Sequence, residues 1–201
     1  MMKTGIIFIL LSLLSSCDLI RLLNTSEQKN ESTEEINLFL KKKKYNYDFS
    51  FENIDSTSSL LTGSNYRLND SNKKYSFIQL RIYDSTGYLY TGFSQCMGSF
   101  NEKKIIDRLP PLKNNYPFLN TKLRLEDELD LINIDSGSKL KLIEEFAEFD
   151  YVFVVYWTIW TKYFSKHVLK QVSKIKGKEP DKVLVLFVNT AKEKSISTTN
   201  E

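Results

Sequence analysis

The chain has 201 residues and carries 28 Lys or Arg against 25 Asp or Glu, a formal net charge of +3. Because the positive and negative charges nearly balance, there is no electrostatic reason to expect nucleic acid as a partner. Hydrophobic residues make up 41% and aromatic residues 13%, which excludes a largely disordered chain and fits a single folded domain.

The first 17 residues have the pattern of an export signal. Lys3 precedes an apolar run from Ile6 to Leu14, which is too short for a bilayer-spanning helix of about 20 residues. The sequence Leu14-Ser15-Ser16-Cys17 then resembles the lipobox of bacterial lipoproteins. The resemblance implies a signal peptide over residues 1–16, a palmitate-type lipid anchor on Cys17 and a place in the cell envelope, on the periplasmic face or the cell surface. An ordinary secretory signal with a chance cysteine and an uncleaved anchor are the alternatives.

Residues 17–44 are predicted to form a lipidated, disordered tether. Asn24 to Glu35 contains no apolar side chain, so this stretch cannot bury enough surface to order itself. Lys41 to Lys44 form a basic run, interpreted as the solvated end of the linker. Contact of these lysines with anionic lipid headgroups is the alternative.

Residues 45–118 are predicted to form an antiparallel β portion. Aromatic and polar residues alternate from Tyr45 to Phe51, which is typical of a half-buried strand with its aromatic side chains on one face. Tyr75 to Tyr83 and Tyr88 to Phe93 flank a turn that ends in Gly87, which predicts a hairpin with a positive φ at that glycine. The apolar face of the first hairpin strand is Ile78, Leu80 and Ile82.

Cys96 is the only thiol that remains if Cys17 carries lipid. Its neighbours Gln95 and Met97 offer no charge that would stabilise a thiolate, so we expect a buried, inert thiol. The alternative is an enzyme, a single-cysteine oxidoreductase or peroxidase that works through Cys96.

Residues 119–190 are predicted to hold two helices and then a strand, a helix and a strand. Thr121 to Ile132 forms the first helix, and the acidic cluster Glu126-Asp127-Glu128 with Asp130 is interpreted as its solvated first turn. Ser136 to Phe149 forms the second helix, with Ser136 or Ser138 as its N-cap. Residues 191–201 are predicted to be a frayed tail.

Two continuous apolar runs, Tyr151 to Trp157 and Val183 to Val188, predict buried strands. A helix from about Trp160 to Ile175 joins them, which predicts a parallel βαβ unit. The inner face of this helix is Phe164, Val168, Val172 and Ile175, and Lys162, Lys166, Lys170 and Lys174 form a stripe along it. A solvated outer face is the expected role of the stripe, and docking of an acidic partner is the alternative.

Val152 to Asn189 resembles the βαβ centre of the thioredoxin-like family, in which a buried strand ends in a tryptophan before a Cys-x-x-Cys motif. Here Trp160 matches that tryptophan, and Thr161-Lys162-Tyr163-Phe164 stands where the motif would be. Thr161 replaces the attacking cysteine and Phe164 the resolving one, so the resemblance implies a fold without the redox chemistry. Since no residues correspond to the family's last hairpin and helix, either the fold is truncated or the hairpin at Tyr75 to Phe93 fills the vacant sheet edge, as in a circular permutation. We favour the second, because a central parallel pair needs neighbours to cover its edges.

The sequence therefore predicts an α/β (α+β) fold with a thioredoxin-like three-layer core, a buried βαβ unit over about 151–188 and an N-terminal antiparallel hairpin. We expect a membrane-tethered, non-enzymatic binding or structural module without cofactor or metal, whose partner is an envelope protein. The expected contact surface is Trp157, Trp160, Thr161 and Tyr163. An envelope immunity or assembly factor is a further alternative.

Overall fold

The computed structural model describes residues 31–52, 78–94, 101–106, 124–130, 132, 134–161 and 163–190. Five helices and five strands occupy these residues. The helices are α1 (Thr33–Lys43), α2 (Glu102–Ile106), α3 (Leu125–Leu129), α4 (Ser136–Phe146) and α5 (Tyr163–Lys178). The strands are β1 (Phe49–Glu52), β2 (Gln79–Asp84), β3 (Leu89–Ser94), β4 (Tyr151–Trp157) and β5 (Val183–Asn189).

All five strands belong to one mixed sheet in the order β1-β5-β4-β2-β3. β4 and β5 pair in parallel, so the predicted buried βαβ unit is confirmed. β2 pairs antiparallel with β3 and with β4, which confirms both the hairpin and its position beside the βαβ unit. Gly87 has φ of 78°, as the turn sequence predicts.

Helices cover both faces of the sheet, which gives the three layers that the sequence predicts. On one face α1, α2 and α5 pack against the odd-numbered side chains of β4 and β5, including Phe153, Val155 and Phe187. On the other face α3 and α4 pack against the even-numbered side chains of the same strands, including Val154 and Leu186. The predicted inner face of α5 is buried in the first of these layers.

The prediction that residues 17–44 form a disordered tether is wrong for residues 31–44, which contain α1. Ser32 caps this helix, since the Glu35 N–H donates to Ser32 Oγ at 3.2 Å and the Ser32 N–H donates to the Glu35 carboxylate at 2.9 Å. Ile36 and Leu40 are then buried in the core. Burial of two aliphatic side chains contributes roughly 3–6 kcal/mol, which offsets the polar composition of the first turn. Residues 17–30 lie outside the described part.

The segment from Tyr45 to Phe51 does not form one strand with an aromatic face. Tyr45 and Tyr47 pack with Phe187 on the α5 side of the sheet, whereas Phe49 and Phe51 pack on the opposite side. β1 is also parallel to β5, so residues 45–118 are not an entirely antiparallel portion. The chain bends between the two tyrosines and the two phenylalanines, at Asp48, whose N–H donates to the Val185 carbonyl.

The boundaries of all three helices after residue 120 differ from the sequence prediction, including the end of α4 at Phe146 and the end of α5 at Lys178. α3 is confined to Leu125–Leu129, and α5 begins at Tyr163 rather than near Trp160. The N-cap of α4 is Asp135, whose carboxylate accepts from the Ser138 N–H at 2.9 Å, and neither Ser136 nor Ser138 takes that role. The start of the first hairpin strand at Tyr75, Cys96 and the tail 191–201 lie outside the described residues.

Candidate functional site

The loop between β4 and α5 stands where the sequence places the degenerate redox motif, and it is built from buried hydroxyl groups. The hydroxyl oxygens of Thr158 and Thr161 lie 3.0 Å apart, and those of Thr161 and Ser165 lie 2.6 Å apart. The Thr161 hydroxyl also contacts the Thr158 carbonyl at 3.1 Å, and the Thr158 N–H donates to Ser165 Oγ at 3.2 Å. These short-range bonds satisfy the main chain as it leaves the sheet and enters α5.

Glu31 closes this loop from a distant part of the sequence. Its side chain accepts a hydrogen bond from the Trp160 N–H at 2.7 Å and another from Asn189 Nδ2 at 2.8 Å. Asn189 is the last residue of β5, so one carboxylate joins the segment before α1, the β4–α5 loop and the end of β5. Glu31 itself is only 5% exposed.

Burial raises the pKa of the Glu31 carboxyl above its ordinary value, because the charged form loses its hydration. Hydrogen bonds from the Ile159 and Trp160 main chain and from the Asn189 side chain act in the opposite direction. Nearby Glu35 adds a smaller upward contribution to this pKa. Desolvation therefore favours the neutral carboxyl group, and the hydrogen bonds favour the charged carboxylate.

The expected contact surface is mostly buried, so that prediction is wrong for three of its four residues. Trp157 is fully buried, and Trp160 and Thr161 are 7% and 3% exposed. Only Tyr163 is accessible, at 48%, where its ring stacks on His167 with centroids 6.3 Å apart. Trp157, Trp160 and Thr161 therefore pack in the interior, and Tyr163 alone of the four is accessible.

Helix α1 is the reason that this corner is covered. Phe39 stacks on the Trp157 ring with centroids 5.4 Å apart and an interplanar angle of 25°. Such offset aromatic pairs add about 0.5–1.5 kcal/mol beyond the area that they bury. Because the prediction treats residues 17–44 as disordered, it leaves no element that could cover Trp157.

A buried ionic cluster lies on the other face of the sheet. Arg81 Nη1 is 2.8 Å from Glu128 Oε1, and both side chains are at most 5% exposed. The Tyr156 hydroxyl donates to the same Glu128 oxygen, Arg81 Nη2 donates to Gln79 Oε1 at 3.0 Å, and the guanidinium lies 5.0 Å from the Tyr156 ring centroid. Burial raises the pKa of Glu128, and the adjacent Arg81 charge opposes that rise.

The prediction that the acidic residues of α3 form a solvated first turn is wrong for Glu128. The Glu128 side chain is fully buried. The sequence carries a signal for this, since Arg81 lies between the apolar residues Leu80 and Ile82 of a predicted strand, and a charge that such a strand buries needs a partner. Nothing in the sequence indicates which of the neighbouring acids, Glu126, Asp127 or Glu128, that partner is.

Two lysine-rich segments converge on the outer face of the α1–α5 layer. An open groove of about 520 Å³ lies there, and Tyr45, Asn46 and Ser173 form part of its wall. Every charged residue in its lining is a lysine: Lys43, Lys44, Lys166, Lys170 and Lys174. None of these five ammonium groups has an ion-pair partner among the described residues. Lys162, the first member of the predicted stripe, lies outside the described residues.

Cys17 and Cys96 both lie outside the part of the chain that the structure describes. Within the described ranges, no helix has the length and apolar character needed to cross a membrane. The same ranges contain no group of three or more His, Cys, Asp or Glu side chains placed to hold a metal ion.

Comparison with known proteins finds no protein-family model, no curated protein and no solved structure that matches this chain.

Proposed function

We propose that this protein is a lipid-anchored component of the bacterial cell envelope whose folded domain is a redox-inactive, thioredoxin-like binding or structural module. The observation that carries the proposal is the content of the β4–α5 loop. In the proposed match to that family, Thr161 and Phe164 stand at the positions of the two redox cysteines, and in this structure both side chains are buried. A threonine hydroxyl cannot form a disulfide, and a phenylalanine ring cannot resolve one.

The sheet supports the thioredoxin-like part of the proposal. A parallel β4-α5-β5 unit lies at its centre, and a hairpin pairs antiparallel with the outer side of β4. The hairpin thus covers the edge that the family's C-terminal hairpin would cover, although here it precedes the βαβ unit in sequence. Covering that edge removes a row of unpaired main-chain groups from the centre of the fold.

The sequence supports the anchor. Lys3, the apolar run from Ile6 to Leu14 and the small residues Ser15 and Ser16 before Cys17 are the parts that a lipoprotein signal peptidase requires. One acyl chain binds a membrane only reversibly, but two or more anchor a protein stably. A diacylglyceryl cysteine would therefore keep the domain on the membrane permanently.

The lipid anchor is tested by metabolic labelling with palmitate and by membrane fractionation of the wild-type chain and the Cys17→Ala variant. We expect the wild type to carry label and to sediment with membranes, and the variant to lose the label. Cys96→Ala is the matched control, since it removes the other thiol and should leave the label unchanged. A labelled Cys17→Ala chain would contradict the proposal.

The redox part is tested on the purified protein with an insulin-disulfide reduction assay. We expect no rate above that of the reductant alone. Turnover that disappears in Cys96→Ala would contradict this expectation and would favour the single-cysteine oxidoreductase instead.

A further inference from the structure

We infer that the lysine groove between α1 and α5 binds the anionic headgroups of the membrane that carries the anchor, so that this face of the domain lies against the bilayer. The inference deepens the proposed function and rests on its lipid anchor at Cys17. It assigns a surface and a partner chemistry to a domain whose predicted contact corner is buried.

The charge of the groove favours an anionic ligand. Lys43 and Lys44 come from the end of α1, and three more lysines come from α5, more than 120 residues further along the chain. The fold thus collects five cations around one groove, and the described residues that line it include no carboxylate. Mutual repulsion makes such a cluster unfavourable by itself, and an anionic ligand relieves that repulsion.

The length of chain between the proposed anchor and the fold limits how far the domain can lie from the membrane. Only 13 residues separate Cys17 from Glu31, where the described part of the chain begins. The chain from Cys17 to Glu31 spans at most about 50 Å when fully extended. A lipid on Cys17 would therefore keep Glu31 within about 50 Å of the headgroups, which raises their effective concentration at the domain surface.

The charges of α1 are separated along its length. Its last turn carries Lys41, Lys42 and Lys43, and Leu38, one turn earlier, is 63% exposed. The cationic end of the helix is therefore the end that lines the groove. The two acidic residues of α1, Glu34 and Glu35, lie in its first turn, at the opposite end from Lys43.

The experiment uses the lipidated full chain in phosphatidylcholine vesicles with or without phosphatidylglycerol. A fluorophore is attached to Asn37→Cys, on the exposed side of α1, in a Cys96→Ser background, and energy transfer to a headgroup-labelled acceptor is measured. We expect higher transfer in the vesicles that contain phosphatidylglycerol, and we expect added salt to reduce that increase because exposed charges are screened.

The groove is tested by Lys166→Glu/Lys170→Glu, which removes two cations from its wall. Each lysine near an anionic surface strengthens association with that surface about fivefold. We therefore expect the variant to lose about 25-fold or more in affinity of the groove for anionic headgroups. Its energy transfer should fall to the level seen in phosphatidylcholine vesicles. The matched control is Lys141→Glu/Lys182→Glu, which changes the same charge at two exposed lysines outside the groove. The control should keep the full increase, and near-ultraviolet circular dichroism checks that both variants fold.

The possible failures are distinguishable. A chain that does not float with phosphatidylcholine vesicles contradicts the anchor and with it the docking. A chain that floats but shows equal transfer in both kinds of vesicle overturns the docking alone, and so does a groove variant that keeps the increase. Either of the last two results would point to an acidic protein as the partner of the groove.

Discussion

The Glu31 carboxylate accepts a hydrogen bond from the Trp160 N–H at 2.7 Å, across 129 residues of sequence. This contact places a buried acid over the loop between β4 and α5. Through Asn189 at the end of β5, it also ties the segment before α1 to the centre of the sheet. The segment before α1, the β4–α5 loop and β5 therefore meet at one carboxylate.

Glu31→Ala should destabilise the protein by about 1–3 kcal/mol, because it removes the carboxylate that accepts hydrogen bonds from the buried Trp160 N–H and Asn189 amide. Glu31→Gln should cost less, since its amide oxygen can still accept from Trp160. Equilibrium urea unfolding measures both, with exposed Glu144→Ala as the control. A Glu31→Ala variant as stable as that control would show that the contact contributes nothing to the fold.

The pH dependence of stability should follow the raised pKa of Glu31. The folded protein keeps this proton to a higher pH than the unfolded chain does, so the stabilisation is complete below the ordinary value of 4.5 and is lost as the pH rises through the folded pKa. Glu128 has a raised pKa too, so the comparison of wild type with Glu31→Gln isolates the contribution of Glu31. We expect the wild type to lose more stability than Glu31→Gln as the pH rises from below 4.5. Parallel curves would contradict the shift.

Glu128→Ala should destabilise the fold by about 3–5 kcal/mol, because it strands the Arg81 charge in the core. The double variant Arg81→Met/Glu128→Leu should recover most of that loss, since apolar side chains of similar size replace an ion pair whose desolvation is costly. Urea unfolding of Arg81→Met, Glu128→Leu and the double variant completes the thermodynamic cycle. A double variant less stable than Glu128→Ala would argue that the pair itself stabilises the core.

Gly87→Ala should cost about 1–2 kcal/mol, because its φ of 78° is unfavourable for any residue with a Cβ. Space is not the problem, since a Cβ there would lie 3.6 Å from the nearest atom, Phe146 Cζ. Gly137→Ala in the first turn of α4 is the control and should be neutral or slightly stabilising. Equal effects at the two glycines in thermal unfolding would contradict the strained turn.

Much of the sheet could be predicted from the sequence because its signals are local. Seven consecutive apolar residues define β4, and the Asp84 to Gly87 turn defines the hairpin. The pairing of that hairpin with β4 is a non-local feature, but it follows from the need to cover a buried strand on both edges. Helix α1 also has a local signal, the Ser32-x-x-Glu35 capping box before Ile36, which the polar composition of residues 24–35 obscures.

The contacts of the candidate site could not be predicted from the sequence, because they join residues that are far apart along the chain. Glu31 accepts a hydrogen bond from Trp160, and Glu128 forms an ion pair with Arg81, but no sequence spacing indicates either pair. The lysines of α1 and α5 form two ordinary solvated runs in the sequence and one groove only after folding. Trp157 and Trp160 suggest a contact surface only when helix α1 is not predicted.

The central claim, that the chain is a lipid-anchored envelope protein, is tested most directly by the intact mass of the mature N-terminal peptide from native membranes. We expect a peptide that begins at Cys17, lacks residues 1–16 and carries a diacylglyceryl group on its sulfur, with or without an acyl group on its α-amine. A mature chain that begins at another residue, or a Cys17 with an unmodified thiol, would contradict the account.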